Sequence, residues 1–315
     1  MSAAQSALSP QLFDELAGVL RQGLEGSCKR DEPLCKHTSY RIGGPAALWV
    51  EADSLADLRL VHELADRHGI ALSILGRGSN ILAADEGFPG ICVVLGPAFR
   101  TSTFDPETGS LTAGAGTLLA RLVQEAQNAA LTGLEFAVGI PGTLGGALAG
   151  NVGTREQWIG PLVREVTVYS KAGGLQLLRG SDISWAYRAS SLRDTVTVLD
   201  ARLALERGDA SVIALRIEGA LTRRKATQPL FVPNAGSVFK NPEGASAGAL
   251  IEQVGMKGVR RGGAQVSELH ANFIVNTGNA TAADVMTLIK EIRDKVHTSY
   301  GIELQPEIRF LGAFD

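Results

Sequence analysis

Gly139-Ile-Pro-Gly-Thr-Leu-Gly-Gly-Ala-Leu-Ala-Gly-Asn-Val-Gly153 is the stretch from which the fold of this 315-residue chain can be inferred. It holds six glycines and one proline among apolar residues, and it carries no charged side chain. Glycine lets the backbone adopt positive φ and approach another group closely, at a cost in conformational entropy. Such a concentration of glycine is typical of bare peptide N–H groups brought to an anionic or flat partner. For an isolated stretch, the alternative is a loop squeezed between packed elements.

Two further glycine turns precede this stretch, and each follows a strand-like run. Gly76-Arg-Gly-Ser-Asn80 interrupts the apolar segment that begins at Ile70, and Gly114-Ala-Gly116 ends the run from Leu111. The helix predicted from Thr117 to about Ala130 follows the second turn, and a strand–turn–helix start presents free N–H groups to an anion. The spaced third glycine and the downstream acidic residue of a dinucleotide fold are missing from the sequence, so no Rossmann unit is predicted.

The composition is that of an ordinary globular protein, with 45% hydrophobic residues, 20% charged residues and a formal net charge of −3. The length predicts two or three domains. The near-neutral balance argues against a nucleic-acid or membrane-surface partner, which would favour a basic face. No segment approaches the roughly 18 uninterrupted apolar residues of a membrane span. Asp14 and Glu15 interrupt the first apolar run, which does not resemble a signal peptide, so we expect a cytoplasmic protein.

The three cysteines, Cys28, Cys35 and Cys92, are widely spaced and lie in no C-x-x-C pair. They are predicted to be reduced thiols and not a disulfide framework or a zinc site. We find no metal-ligand spacing elsewhere in the sequence, and no metal is expected.

Helical and strand-like segments follow one another along the chain. The predicted helices cover residues 11–24, 54–68, 117–130 and 247–254, and a segment that is capped at Thr281 and ends by Gly301. The predicted strands cover residues 47–50, 70–75, 91–95, 111–116, 163–170, 174–178, 196–199, 211–215 and 302–311, the last with Glu307 in its middle. The run Thr222-Arg-Arg-Lys225 interrupts the β-rich pattern, and a domain boundary is predicted near it.

Three blocks of sequence, taken in order, resemble one known family. The blocks are Gly76-Arg-Gly-Ser-Asn-Ile-Leu82; Gly139-Ile-Pro-Gly-Thr-Leu-Gly-Gly-Ala147 with Asn151; and Asn234-Ala-Gly-Ser-Val-Phe-Lys-Asn-Pro242, continued by Ala264-Gln-Val-Ser267, His270-Ala-Asn-Phe-Ile-Val-Asn276 and Pro306-Glu-Ile-Arg-Phe-Leu-Gly312. From about His37 to Gly312 the chain is similar to the flavin-dependent UDP-N-acetylenolpyruvoylglucosamine reductases of bacterial peptidoglycan synthesis. It departs from them at Asn151-Val-Gly-Thr-Arg-Glu-Gln-Trp158, where an Asn-Ala-Gly-Ala-Tyr-Gly-like sequence is usual.

The resemblance implies an α+β flavoprotein, with an FAD-binding fold of the vanillyl-alcohol-oxidase/PCMH type in two subdomains and a smaller α/β substrate-binding domain. We expect the first subdomain to cover residues 1–98, with residues 304–315 returning to it. The second would cover residues 99–220, and the substrate-binding domain residues 221–303. Because no histidine or cysteine lies in a convincing covalent-flavin motif, the FAD is expected to be non-covalent. A monomer is expected.

The implied reaction reduces UDP-N-acetylglucosamine enolpyruvate to UDP-N-acetylmuramate, with NADPH as the reductant and hydride passing through FAD to the vinyl carbon. Arg188 matches the catalytic arginine of the family. A planar guanidinium suits that role because it can bind the substrate carboxylate through two hydrogen bonds. Ser237 matches the proton donor. Glu307 matches the third catalytic position, where burial would raise its pKa and let it hydrogen-bond the substrate carboxylate or polarise a water. Without the resemblance these would be a solvated arginine, a turn serine and a carboxylate paired with Arg309 or another base.

The remaining site residues also follow from the resemblance. The expected FAD contacts are Gly76, Arg77, Gly78, Ser79, Asn80, Gly139, Pro141, Gly142, Thr143, Gly146 and Asn151. The expected substrate contacts are Tyr187, Lys225, Lys240 and Asn241. One rival interpretation is another FAD-dependent oxidase or dehydrogenase on the same fold, which leaves the third block and Glu307 unexplained. A second rival is a non-catalytic nucleotide-binding relative, which predicts the loss of Arg188, Ser237 or Glu307.

Overall fold

The computed structural model describes residues 9–314, so residues 1–8 and 315 of the predicted first subdomain lie outside the described residues. The helices of the described part are α1 (Pro10–Gly23), α2 (Leu55–Arg67), α3 (Leu119–Asn128), α4 (Leu144–Gly150), α5 (Ala210–Thr227), α6 (Ala247–Gln253) and α7 (Ala282–Tyr300). No helix of this part is long and apolar enough to cross a membrane.

The strands are short and numerous. They are β1 (Ser27–Pro33), β2 (Pro45–Ala52), β3 (Leu72–Leu75), β4 (Ile81–Ala83), β5 (Phe88–Leu95), β6 (Ser102–Asp105), β7 (Ser110–Gly114), β8 (Leu131–Thr132), β9 (Val163–Ser170), β10 (Gly174–Arg179), β11 (Trp185–Ala186), β12 (Ala189–Ser190), β13 (Thr197–Ala204), β14 (Glu206–Arg207), β15 (Arg260–Arg261), β16 (Ala264–Val266), β17 (Ile274–Asn276) and β18 (Arg309–Leu311).

Three sheets organise these strands. The first has the order β1-β2-β5-β3, in which β2, β5 and β3 run parallel and β1 is antiparallel. The second is antiparallel, with the order β10-β9-β13-β7-β6. The third, β15-β16-β17, packs against α7. In addition β18 pairs in parallel with β4, so residues more than 220 positions apart in the chain lie side by side.

Two main cores hold the molecule together. The first two sheets and α1 to α4 share one continuous cluster, in which Leu48, Leu58 and Leu122 are fully buried. The second core surrounds α6 and α7, and it also takes in Tyr40 and Leu82 from the first part of the chain. Apolar burial of this kind is the main favourable term in folding, so the shared core fixes the third sheet against the first part.

The helix ends explain why the terminal helix was predictable. The Thr281 side chain accepts from the Asp284 amide at 3.0 Å, and Asp284 Oδ2 accepts from the Thr281 amide at 3.0 Å, which is a complete capping box. At the other end Gly301 adopts φ +67°, where glycine is favoured. The predicted helix from Thr281 to Gly301 is therefore confirmed.

Two strand predictions are wrong. Residues 211–215 lie in α5, where the Asp209 side chain accepts from the amides of Ser211 and Val212 and so begins a helix. Residues 302–308 do not form a strand: Pro306 makes only an isolated bridge with Phe239, and continuous pairing, with β4, begins at Arg309, after Glu307. The central glycine stretch also contains a helix, α4, which sequence reasoning treated as part of a loop.

Candidate active site

A large cleft of about 2070 Å³ brings together residues that are far apart in the sequence. Residues of β3, β9 and β13 line it, as do the glycine turn at 76–80 and most of the stretch 139–153. Arg188, Ser237 and Glu307 line the same cleft. The three catalytic candidates therefore share one cavity with the proposed cofactor turns.

Hydrogen bonds hold the glycine turn at residues 76–80 against two other segments. The Ser79 hydroxyl donates to Pro141 O at 2.8 Å, and the Ser39 amide donates to Gly78 O at 3.2 Å. Gly78 has φ +59°, and a Cβ there would lie 2.2 Å from His37 O, so only glycine fits. The turn at 76–80 is thus fixed against both the neighbouring loop and the second glycine segment.

The geometry of these turns fits an FAD pyrophosphate. The amides of Arg77, Gly78 and Ser79 donate to no protein acceptor within residues 9–314. Gly142 has φ +152°, and the nearest atom to a Cβ built there is 3.6 Å away, so an added side chain would fill open cleft. Unpaired amides around a concavity free of side chains form an anion-binding nest.

Arg188 is held in a strained but well-anchored conformation. Its φ of +57° lies in the left-handed region, and its carbonyl accepts from Arg193 Nη2 at 2.8 Å. Its Nε donates to Glu307 Oε1 at 2.7 Å, and its Nη1 donates to Gly153 O at 2.7 Å. Nη2 donates to no described residue. The guanidinium therefore keeps one free pair of donors.

Glu307 is fixed through its backbone as well as its carboxylate. Its amide donates to Val238 O at 2.7 Å, and its carbonyl accepts from Asn80 Nδ2 at 3.0 Å. Burial raises the pKa of Glu307, and the positive charges of Arg188, Lys240 and Arg193 only partly offset that effect. The pairing with Arg309 that was considered from sequence does not form, because Arg309 pairs with Asp194.

Ser237 lies beside this pair. It is half-buried between Gly236, whose φ is +79°, and Val238, whose carbonyl bonds to Glu307. The Ser237 hydroxyl makes no hydrogen bond to any residue in the part of the chain that the structure describes. A free hydroxyl that lines the same cleft as the Arg188–Glu307 pair has the chemistry of a weak acid.

The predicted substrate contacts do not all lie together. Tyr187 and Asn241 line a second cavity of about 480 Å³, and Arg188 lines both cavities. Lys240 is half-buried near Glu307 and lines neither cavity. Lys225 is exposed on α5 and also lines neither.

Asn151 differs from the other predicted FAD contacts. Its side chain donates to Ala186 O at 2.8 Å and accepts from the Gly160 amide at 3.2 Å, so its amide is bonded within the protein. It lines the smaller cavity, whereas the other ten predicted FAD contacts line the large cleft.

Sequence reasoning missed two arginines. Arg224, at the end of α5, lines the large cleft, and burial, followed by the charge of Arg188, lowers its pKa. Arg193 lines the cleft and donates to Ala149 O at 3.2 Å. In a helix over residues 210–227, Arg224 and Lys225 point in different directions around the helix axis, so the two would not both be expected at the cleft. A helix prediction would have made Arg224 a separate candidate.

Within residues 9–314, no group of three His, Cys, Asp or Glu side chains could hold a metal ion. His37 instead stacks on Trp49 with ring centroids 3.8 Å apart, and its Nε2 lies 2.9 Å from Glu32 Oε1. His270 Nδ1 accepts from the Asn272 amide at 3.2 Å. Both histidines have structural partners.

Glycine turns with free amides, in the same cleft as a half-buried arginine–carboxylate pair, are typical of a flavin-binding oxidoreductase. In agreement, residues 46–178 match the FAD binding domain family. Residues 228–311 match the family described as UDP-N-acetylenolpyruvoylglucosamine reductase, C-terminal domain. The chain belongs to the UDP-N-acetylenolpyruvoylglucosamine reductase family.

Similar proteins match over nearly the whole chain. A reductase of this name from Moorella thermoacetica is 47% identical over 297 residues, covering 94% of this chain and 97% of the relative. One from Heliobacterium modesticaldum is 44% identical, covering 93% of each. The crystal structure of UDP-N-acetylenolpyruvylglucosamine reductase from Thermus caldophilus aligns with a TM-score of 0.79 at 34% identity, covering 91% of this chain and 99% of that one. The predicted family, the α+β FAD-binding fold and the FAD cofactor are confirmed.

Proposed function

We propose that this protein reduces UDP-N-acetylglucosamine enolpyruvate to UDP-N-acetylmuramate, a step in peptidoglycan precursor synthesis, with NADPH as the reductant. The observation that carries the proposal is the half-buried pair formed by Arg188 Nε and Glu307 Oε1 at 2.7 Å, in the cleft that Ser237 also lines and where Arg188 reaches the smaller cavity. The family relationship supplies the substrate class.

FAD belongs in the glycine-lined cleft, held without a covalent bond. The backbone of residues 76–80, with residues 139, 141–143 and 146, would hold it, and the free amides suit its pyrophosphate. When bound, FAD accepts hydride from NADPH and supplies it to the vinyl carbon of the substrate.

Arg188 stabilises the charge that develops during the reduction. Hydride addition to the vinyl carbon pushes electron density onto the neighbouring carbon and into the substrate carboxylate. The free Nη2 of Arg188 can donate to that carboxylate, while Glu307 and Gly153 O hold the guanidinium plane in place. In this proposal Glu307 acts as a positioning residue for Arg188.

Ser237 supplies the proton. The carbon next to the carboxylate becomes strongly basic once hydride has been added, so a well-placed hydroxyl is acidic enough to protonate it. The free hydroxyl and the backbone link from Val238 to Glu307 support this assignment. The serine then recovers its proton from solvent.

Several finer features stay proposals. Tyr187 and Asn241 would contact the substrate in the smaller cavity, and Lys240 would act through its charge near Glu307. Lys225 has the weakest support because it is exposed. We retain the division into residues 1–98 with 304–315, 99–220 and 221–303; the β18–β4 pairing supports the return, although residue 221 lies within α5. We also propose a cytoplasmic monomer.

An anaerobic half-reaction experiment tests the proposal. NADPH should bleach the yellow protein, and UDP-N-acetylglucosamine enolpyruvate should then restore the flavin absorbance with formation of UDP-N-acetylmuramate. Heat denaturation should release the flavin into solution. The alternative outcome is that the flavin absorbance returns only with oxygen, or with the oxidised product of a hydroxy acid, and not with the enolpyruvyl substrate. That result would favour the oxidase interpretation and contradict the proposed reaction.

A further inference from the structure

The smaller cavity and the large cleft meet at Arg188. Arg188 lines both cavities, whereas the glycine turns at 76–80 and 139–146 line only the large cleft. If FAD fills the large cleft, as in the proposed function on which this inference rests, the substrate must reach Arg188 through the smaller cavity. The nucleotide end of the substrate, remote from its enolpyruvyl group, then lies among the outer residues of that cavity.

A short hairpin forms one wall of the smaller cavity. Gly153 and Trp158 form an antiparallel bridge, and the Thr154 amide donates to Gln157 O at 2.7 Å. The Thr154 hydroxyl accepts from the amides of Glu156 and Gln157 at 3.2 and 3.1 Å. These bonds hold the hairpin in shape, although Trp158 remains 39% exposed. This is also the segment in which the sequence departs from the family pattern.

The second aromatic wall is rigid. Trp185 Nε1 donates to Gly180 O at 3.1 Å, and a Cβ on Gly160 would lie 2.8 Å from the Trp185 ring. The bonds from the Asn151 side chain to Ala186 and Gly160 fix this wall to the hairpin. A cavity lined by the two indole rings, one of them fixed in this way, suits a flat ring, which loses little entropy when it binds.

Arg155 adds a positive charge at the edge of the cavity. It is exposed, and its one protein hydrogen bond is a long one, from Nη2 to Ala245 O at 3.5 Å. It forms no ion pair with any residue between 9 and 314. A guanidinium without a carboxylate, beside exposed aromatic rings, has the chemistry that recognises a nucleoside diphosphate.

We propose that the hairpin at residues 153–158 binds the uridine diphosphate end of the substrate, with Trp158 against the uracil ring and Arg155 on the diphosphate. Both are binding residues that set affinity and specificity, and neither takes part in hydride or proton transfer. The assignment rests on Arg155 and Trp158 of this chain, which lie in the segment 151–158.

Calorimetric titration of UDP into the FAD-loaded enzyme tests the proposal. Trp158→Ala should raise the Kd for UDP by roughly 5- to 150-fold, the range for loss of one base–aromatic stack, and Trp158→Phe should retain most of the affinity. Arg155→Gln should raise the Kd about tenfold and make it less dependent on salt. In turnover, the KM for the enolpyruvyl substrate should rise while kcat is retained, because the lost contact is made equally in the ground and transition states.

Matched controls are available in the same chain. Tyr300→Ala removes an aromatic side chain that is 44% exposed on α7, and Arg164→Gln removes an exposed arginine bonded to one carbonyl, that of Pro161. Both should leave the Kd for UDP within twofold of the wild type. Unchanged UDP affinity and KM in the Trp158 and Arg155 variants would overturn the proposal, as would a rise in the KM for NADPH alone, which would assign the cavity to the reductant. Tight UDP binding by an enzyme that does not reduce the substrate would leave this assignment standing and contradict the proposed function.

Discussion

Glu307→Ala separates the positioning of Arg188 from the rest of the reaction. The substitution removes the carboxylate that accepts from Arg188 Nε at 2.7 Å, and leaves Gly153 O as the remaining acceptor for the guanidinium. A hydrogen bond between charged groups contributes about 1.5–3 kcal/mol. If that energy orients Arg188 toward the substrate carboxylate, its loss slows the substrate half-reaction by about 10- to 150-fold.

Stopped-flow absorbance under anaerobic conditions measures the two half-reactions separately. Reduction of FAD by NADPH should proceed at the wild-type rate, and reoxidation by the enolpyruvyl substrate should slow by the factor given above. Glu303→Gln is the matched control, because Glu303 lies in the same terminal segment and pairs with Arg293 away from the cleft. An equal slowing of both half-reactions, or none in reoxidation, would refute the positioning role.

The pH dependence of reoxidation provides a second readout. Burial raises the pKa of Glu307, so its carboxyl becomes protonated at a higher pH than an exposed glutamate. As the pH falls through that raised pKa, Arg188 loses a charged acceptor, and the wild-type rate should fall on the acid side. Glu307→Gln cannot titrate and should lack this acid limb; if it keeps the limb, another group is responsible.

Three further predictions concern the proton donor, the FAD-binding turn and the stability of the fold. Ser237→Ala should leave FAD reduction unchanged and slow reoxidation by about 10²- to 10⁴-fold in stopped flow, whereas normal reoxidation would exclude it as the donor. Gly142→Ala forces a side chain onto a backbone with φ +152°, so calorimetry should show the free energy of unfolding lowered by about 1–3 kcal/mol. Titration of the apoprotein with FAD should show a weaker affinity, and unchanged values in both experiments would contradict the strain. Asp57→Asn should lower the free energy of unfolding by about 1–3 kcal/mol at neutral pH, because Asp57 accepts from the amides of Asp53, Glu25 and Gly26. Although burial opposes it, these bonds lower the pKa of Asp57, so the stabilisation is present above the unfolded pKa of about 3.9 and is lost as pH falls through the folded pKa. Urea unfolding at pH 7 and pH 3 should show the difference shrinking, and a pH-independent difference would contradict it.

Local signals in the sequence predicted much of the fold. The capping box at Thr281 and Asp284 depends on residues three positions apart, so the sequence specifies it directly. The strand predicted at 211–215 failed because a run of apolar residues fits a strand and a helix alike. The cap at Asp209 and the tertiary contacts of α5 decide the outcome.

The site was predicted by resemblance more than by chemistry. Arg188 and Glu307 are 119 residues apart, and nothing in the local sequence of either indicates the other as its partner. Sequence reasoning therefore considered Arg309, which is close in sequence but pairs with Asp194. Arg224 was missed because its position depends on the helical phase of α5, which the strand prediction had removed.

The pairing of β18 with β4 has a consequence for biosynthesis. Asn80, at the edge of the first glycine turn, bonds through its side chain to Glu307, 227 residues away, and through its carbonyl to the Arg309 amide, so both contacts join parts of the chain that are synthesised far apart in time. A nascent polypeptide that stops short of residue 307 lacks these restraints on its flavin-binding turn. A chain truncated before residue 307 should therefore hold FAD more weakly and be purified with less bound flavin than the full-length protein.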